Sequence, residues 1–247
     1  MRIDKRDFNQ LRPVKITPNP IAYPEGSALI EMGGTRVLCT ATIEENIPKW
    51  LQNSGKGWVN AEYGMLPRST HTRIQREKAM SSGRTQEISR LLGRSFRAMT
   101  DLSQMKEKSI IIDCDVLQAD GGTRTAAITG GFVALALAFN KMKTQGSIET
   151  IPLKGYVAAV SVGLKKDQVY LDLNYEEDSA IDTDMNFVMT SQKAFVEIQG
   201  TAEKEPFTKA QMDQMTDYAT LGCLHLFEKQ AEIIGSFFPL NINNSQL

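Results

Sequence analysis

Ser109-Ile-Ile-Ile-Asp-Cys-Asp-Val-Leu-Gln118, then Ala119-Asp-Gly-Gly-Thr-Arg-Thr125, then Ala126-Ala-Ile-Thr-Gly-Gly-Phe-Val-Ala-Leu-Ala-Leu-Ala-Phe139 is the stretch on which the fold turns. The first block is β-branched and reads as a strand. Adjacent glycines interrupt it, and the apolar run beyond them reads as a helix reaching about Lys143. That helix is small and greasy nearly all round, so it is expected at the centre of the molecule. A strand delivered through a glycine turn into a buried helix implies a mixed α+β or α/β domain.

Upstream, Ser27–Met32 and Thr35–Thr42 read as strands joined by the hairpin turn Gly33-Gly34. Residues 44–82 are rich in Gly, Ser, Arg and Pro and are expected to be a long irregular connection. A helix follows from about Arg84 to Asp101, with Ser81 or Ser82 as its cap. At ~100° per residue, Ile88, Leu91, Leu92, Ser95, Phe96 and Met99 share one face and Arg90, Arg94 and Arg97 the opposite one. Arg84 falls at the N-terminal end of the apolar side.

Downstream, strands are expected at about Tyr156–Leu164, Gln168–Asn174, Asn186–Thr190 and Ala194–Gln199, then a helix from Thr208 to about Ile234. In that helix Met212, Met215, Ala219, Cys223 and Leu226 form a core stripe, and His225 beside it reads as structural. The order implies one domain over residues 1–238, built of two related halves, with 239–247 as a flexible tail.

Composition removes several classes. The three cysteines (Cys39, Cys114, Cys223) are odd in number and widely spaced, so no disulfide framework is expected. No unbroken apolar run reaches the ~18 residues of a membrane span, and MRIDKRDFNQ lacks the apolar core of a signal peptide, which makes the cytoplasm the expected location. Two histidines, His71 and His225, are too few for a zinc site without heavy use of carboxylates. Lys and Arg number 28 against 29 Asp and Glu, for a formal net charge of −1. That average hides two opposed blocks. Residues 68–97 hold seven of the arginines and Lys78 against Glu77 and Glu87, and residues 167–184 hold seven carboxylates and no basic residue. A basic block suits a polyanion and an acidic one suits a cation, although solvated faces would look the same.

Three places can carry chemistry. Asp120-Gly-Gly-Thr-Arg-Thr125 opens a helix, where free amides, a hydroxyl and the Arg124 fork would suit a phosphate; a tight turn capped by threonine is the plainer reading. Arg84 on a buried side needs an anion, either a phosphate shared with Arg124 or an acidic side chain. Asp172 to Asp184 is dense enough to hold Mg2+ or Mn2+ beside a proton donor, or else is an exposed acidic loop. One reaction uses all three. Phosphate held by Arg84, Arg124 and the Gly122–Thr123 amides is itself a nucleophile, so no histidine base is required. A phosphodiester would be the electrophile, with its charge offset by metal on the carboxylates and with Asp178 or Asp184 beside the departing 3′ oxygen. The arginines at 68–76 would hold the polynucleotide.

Lys56-Gly-Trp-Val-Asn-Ala-Glu-Tyr-Gly-Met-Leu-Pro-Arg68, Ser82-Gly-Arg-Thr-Gln-Glu-Ile-Ser-Arg90, Asp113 through Thr125 and Asp172-Leu-Asn-Tyr-Glu-Glu-Asp-Ser179 together resemble the bacterial ribonuclease PH family, as do Arg2-Ile-Asp-Lys-Arg6 and Leu11-Arg-Pro13. The likeness runs in order from the N-terminus to about Gly235. It implies a phosphate-dependent 3′→5′ exoribonuclease (tRNA nucleotidyltransferase) that trims tRNA precursors, with rRNA as a further substrate, and releases nucleoside diphosphates. The resemblance assigns phosphate to Arg84, Gly122, Thr123 and Arg124, and catalysis with Mg2+ or Mn2+ to Asp178 and Asp184. It assigns RNA to Arg68, Arg73 and Arg76. It also implies a two-layer duplicated βαβα fold, ribosomal-protein-like with a left-handed crossover, and a homohexamer built as a trimer of dimers, in which Arg90, Arg94 and Arg97 meet RNA or a neighbouring subunit. A non-catalytic ring subunit of an exosome-like complex is the homologous alternative, and it would lack the phosphate arginines or the aspartates that this chain retains. Polynucleotide phosphorylase needs two such domains, for which 247 residues leave no room. A small-molecule kinase would leave the 68–76 arginines unexplained.

Overall fold

The computed structural model describes residues 2–76 and 82–241. Ser81, Glu77, Lys78 and tail residues 242–247 lie outside them. The described elements are β1 (Val14–Pro18), β2 (Gly26–Met32), β3 (Thr35–Glu44), β4 (Trp58–Met65), α1 (Gly83–Ala98), β5 (Ser109–Gln118), α2 (Thr123–Thr144), β6 (Val157–Lys165), β7 (Gln168–Leu171), α3 (Tyr175–Asp178), β8 (Thr183–Thr190), β9 (Phe195–Ala202) and α4 (Lys209–Ile234).

Two sheets divide the strands, in the orders β1-β2-β3-β5-β4 and β7-β6-β8-β9. Each is followed in the chain by a long helix, α2 after the first and α4 after the second. The only parallel pair among the described strands is β4 with β5, joined through α1; the second sheet is antiparallel throughout. A short 191–194 turn stands there in place of a helix between β8 and β9.

Helix α2 packs on β2, β3 and β5 and also on β6, so it lies between the sheets. This explains its lack of an amphipathic face: Ala126, Ala127, Ile128, Phe132, Val133, Ala134, Leu135, Ala136, Ala138 and Phe139 are all fully buried. By length and hydropathy α2 would suffice to cross a membrane, but most of it is buried inside this fold. Buried residues of both sheets form one continuous core. Met215, Ala219, Cys223 and Leu226 of α4 join it as the stripe predicts, whereas His225 is exposed and faces Glu228 at 3.8 Å.

The connection expected to be irregular over 44–82 contains β4. Its pattern is alternating, with Val59, Ala61 and Tyr63 buried and Asn60 and Glu62 exposed. Small and polar residues hide that period in the sequence, and its partner β5 lies about 50 residues onward, beyond α1. Strand β1 was likewise not anticipated, and the second strand of the β6–β7 hairpin ends at Leu171 rather than Asn174. At the C-terminal end, packing continues past Phe238. That ring stacks on Tyr156 at 5.5 Å, its carbonyl accepts the Tyr156 hydroxyl at 2.5 Å, and Leu240 still touches the core.

Candidate active site

The turn after β5 is held by short bonds to a neighbouring strand. The Asp120 amide donates to Thr35 Oγ1 at 2.9 Å, and the Thr35 hydroxyl donates to the Gly121 carbonyl at 2.6 Å. Gly121 and Gly122 both sit in the left-handed region, at φ +74° and +64°. A Cβ on Gly121 would lie 2.4 Å from the Leu173 carbonyl oxygen, so only glycine permits the turn to close against the second half of the fold. Gly122 is the N-cap of α2 and no side chain caps the helix. Thr125 turns its hydroxyl back onto the Gly122 carbonyl at 2.9 Å, while the Thr123 hydroxyl shares a 2.8 Å bond with the buried Tyr63 hydroxyl. The result is an uncapped helix N-terminus, an electropositive seat for an anion.

Arg124 stands in the first turn of α2, mostly buried. Its Nη1 donates to Gln199 Oε1 at 2.5 Å and to Glu87 Oε1 at 3.3 Å, and Gln199 Nε2 donates to the same Glu87 oxygen at 3.3 Å. Ser82 caps α1, accepting the Thr85 amide at 3.1 Å, as one of the two anticipated caps. Arg84 differs from its expected placement. Its side chain is exposed, although Thr85 next to it is buried. Among the described residues it has no carboxylate within ion-pair distance.

Asp178 closes α3, a turn capped by Asn174 and Glu177. Asp184 lies on β8, partly buried. The desolvation of its surroundings lifts Asp178 above the ordinary carboxylate range, against the pull of Arg84, Arg124 and Arg12. Asp184 is pushed up to about 6, first by burial and then by the Asp178 charge, again against Arg124 and Arg84. The charges of both arginines thus pull both aspartates down, against the burial that raises them. Asp184 Oδ1 is buried with no hydrogen-bond partner, while its Oδ2 meets only a long 3.5 Å contact from Asn186. An orphaned carboxylate oxygen beside a second carboxylate fits a divalent cation. Among the described residues no third His, Cys, Asp or Glu joins them, which suits an ion such as Mg2+ that keeps most of its water.

Three more carboxylates of the acidic block, Asp172, Glu177 and Asp182, are paired with cations. Arg2 grips Glu177 through Nε (2.7 Å) and Nη2 (2.5 Å), and Arg12 grips Asp172 through Nη2 (2.7 Å) and Nε (3.0 Å). Arg6 donates to the Asp172 carbonyl at 3.2 Å. Burial would raise Asp172, but the charge and hydrogen bonds of Arg12, with Arg6 behind them, outweigh it and hold the carboxyl below its usual range. Asp182 pairs with Lys204 at 2.5 Å on the surface. A cation site spread over the whole acidic stretch is therefore replaced by a pair, Asp178 and Asp184.

Arg68, Arg73 and Arg76 are exposed on the segment after β4. Arg68 Nη1 donates to the His71 carbonyl at 2.9 Å, and the His71 ring lies 5.7 Å from that of Tyr175, which opens α3. The basic segment thus borders the aspartate side of the site. The three α1 arginines do not share one open face: Arg90 is exposed, Arg94 pairs with Glu197 at 2.6 Å, and Arg97 stacks over Trp58 at 4.4 Å while donating to the Val59 carbonyl. Tyr63, Glu87, Gln199 and Arg12 are site residues that the sequence did not single out. Arg12 had a signal, since three early arginines and a surplus of carboxylates call for each other.

A two-sheet α+β fold that gathers arginines, a bare helix N-terminus and paired aspartates beside a basic segment defines a phosphate-handling enzyme of polyanions. The family profile described as "3′ exoribonuclease family" matches the chain twice, its domain 1 over residues 10–139 and its domain 2 over residues 155–221. The chain belongs to this 3′ exoribonuclease family. A Ribonuclease PH from Bdellovibrio bacteriovorus is 62% identical to it over 240 residues, 97% of this chain and 99% of that protein. Among solved structures, rice (Oryza sativa) Rrp46 matches with a TM-score of 0.76 at 20% identity, over 94% of this chain and 100% of that one. An Archaeoglobus fulgidus exosome with RNA bound to its active site matches with a TM-score of 0.79 at 22% identity, over 92% of each chain. At these identities the likeness is one of fold.

Proposed function

We propose that the chain is a phosphate-dependent 3′→5′ exoribonuclease that trims the 3′ ends of tRNA precursors, with rRNA ends as further substrates, and releases nucleoside diphosphates. The observation that carries this reading is the uncapped start of α2 with Arg124 in its first turn, together with the buried, unpartnered Oδ1 of Asp184. Inorganic phosphate is seated by the Gly122–Thr123 amides, Arg124 and Arg84. An oxygen of this phosphate attacks the terminal phosphodiester phosphorus, the bond to the penultimate 3′ oxygen breaks, and that oxygen takes up a proton. Asp178, raised above its usual value by burial, is suited to move that proton. Fixed amides and guanidinium groups need no reorganisation as charge shifts between the phosphoryl oxygens, which is where such a site gains its rate.

Asp178 and Asp184 would hold Mg2+ or Mn2+, which when bound neutralises phosphoryl charge. Arg68, Arg73 and Arg76 hold the RNA body. A homohexamer arranged as a trimer of dimers and a cytoplasmic location go with this reading, and the exosome neighbours in fold are themselves parts of assemblies. The test is a 3′-extended tRNA incubated with Mg2+, with and without phosphate. Nucleoside diphosphates appearing only with phosphate are expected. Nucleoside monophosphates, or equal trimming without phosphate, overturn the proposal.

A further inference from the structure

The hairpin between β2 and β3 is stitched to the turn that opens α2. Gln118 Nε2 donates to the Gly34 carbonyl at 2.7 Å. Thr35, the first residue of β3, uses its hydroxyl in both senses on the same turn. It accepts the Asp120 amide at 2.9 Å and donates to the Gly121 carbonyl at 2.6 Å. Thr35 is fully buried, so water cannot take over either bond.

The carbonyl held in this way belongs to the peptide that joins Gly121 to Gly122, and a peptide flanked by two glycines is the one most free to turn over. It is trans, so its C=O and N–H point in opposite directions. With the carbonyl pinned on the β3 side, the Gly122 N–H is directed away from β3, and among the described residues no group accepts it. Gly122 is left-handed and Thr123 begins the right-handed helix, an order that gathers successive N–H groups on one concave side. Turning the peptide over would bring a carbonyl oxygen to where that N–H stands and repel an anion. We propose that Thr35 is a positioning residue for inorganic phosphate: its hydroxyl fixes the Gly121–Gly122 peptide with the Gly122 N–H aimed at the anion. This rests on the reading of the start of α2 as the phosphate seat of a phosphorolytic exoribonuclease. Thr35 acts through the turn and from behind it, on the side away from the anion.

The experiment follows phosphate dependence in the wild type, Thr35→Val and Thr35→Ser. Valine keeps the shape and removes the hydroxyl, and serine keeps the hydroxyl. Thr35→Val is expected to raise the KM for phosphate by ~10-fold, the scale of one hydrogen bond to a charged group, with the KM for RNA unchanged within about two-fold. Thr35→Ser should restore most of the phosphate KM. Without RNA, the rise in melting temperature that phosphate gives the wild type should shrink in Thr35→Val and return in Thr35→Ser. Both readings come from folded protein, so a smaller folded fraction does not imitate them. An unchanged phosphate KM in Thr35→Val, an equal rise in both KM values, or a serine variant no better than valine overturns the assignment. A wild type that trims without phosphate fails the parent reading and this one with it; a phosphate-dependent wild type whose Thr35→Val variant binds phosphate normally fails this proposal alone.

Discussion

Arg12 and Asp172, 160 residues apart in the chain, meet in a two-pronged ion pair from which water is excluded, with Asp172 fully buried and Nη2–Oδ1 at 2.7 Å. Arg12 Nη1 also donates to the Asp120 carbonyl, just before the glycine pair. The N-terminal segment, the phosphate turn and the strand end at Asp172 are thus fastened by one guanidinium. Removing it leaves a buried carboxylate without its counter-charge. Arg12→Ala is expected to lower stability by about 3–5 kcal/mol, and Asp172→Asn in the same chain should recover part of that loss. Denaturant melts of the two variants measure it, and a double variant no more stable than the single one refutes the pairing argument.

The pH dependence of that pair has a definite sign. The carboxyl of Asp172 is lower in the folded chain than when unfolded, so its contribution is complete above the unfolded value of 3.8 and is lost as pH falls through the depressed one. Stability in the wild type should therefore fall off below pH ~4 from this group, and the Asp172→Asn chain should show a shallower acid limb. Melting temperature followed from pH 6 to pH 3 checks it.

Asp184 has the opposite sign. Its carboxyl is raised to about 6, so the proton is bound more tightly in the folded chain, and the ionised form carries a penalty that is complete above that value and relieved as pH falls toward the unfolded value of 3.8. Asp184→Asn should stabilise the metal-free protein by about 1–2 kcal/mol at pH 8, after discounting for solvent at a partly exposed group. The same change should abolish RNA trimming, the trade of stability for function expected where charges are crowded on purpose. In the wild type, activity should decline as pH drops through about 6, and the decline should move to lower pH as Mg2+ is raised, because the cation competes with the proton. A limb that ignores Mg2+ would separate Asp184 from metal binding.

Arg84→Ala is expected to cut phosphate-dependent trimming by ~100-fold or more and to raise the KM for phosphate, with tRNA affinity nearly unchanged. Collapse of RNA binding instead would make Arg84 an RNA contact. Gln199→Ala tests the neighbouring arginine through its support. Gln199 holds Arg124 at 2.5 Å, so its loss should raise the phosphate KM by roughly ten-fold while leaving the RNA KM alone.

What could be read in the chain, and what could not, follows from the range of the forces involved. Strand β5, the glycine turn and α2 are local, and they appear where the residue pattern puts them. Strand β4 was hidden because its apolar face is only Val59, Ala61 and Tyr63, alternating with Asn60, Glu62 and Gly64, and pairing with a strand beyond α1 is what makes it a strand. Helical phase alone put Arg84 on the apolar side, but a wheel has no information about which residues at a helix end the tertiary fold covers, and here Thr85 is buried and Arg84 is not. The acidic block was seen as charge without its partners, because Arg2, Arg6 and Arg12 reach it only through the tertiary fold. Glu87 and Gln199 likewise reach Arg124 only through the tertiary fold, from α1 and β9.

The exposed arginines at 68, 73 and 76 make a prediction of a different kind, because their effect is read from salt rather than from rate. The three belong to one segment and touch no catalytic side chain; Arg68 is tied to the His71 carbonyl, and His71 in turn lies against Tyr175 at the aspartate side of the site. A cation that neutralises an RNA phosphate releases its condensed counterions, so each such contact adds about −0.7 to −0.9 to the slope of log K against log salt. Replacing all three by alanine should flatten the slope for a 3′-extended tRNA by about 2–3 and weaken binding most at low salt. The phosphate KM should stay where it is, since these side chains are separate from the α2 seat. If affinity falls with the slope unchanged, the segment contacts something other than RNA phosphates, and a simultaneous change in sedimentation would identify it as a contact between subunits.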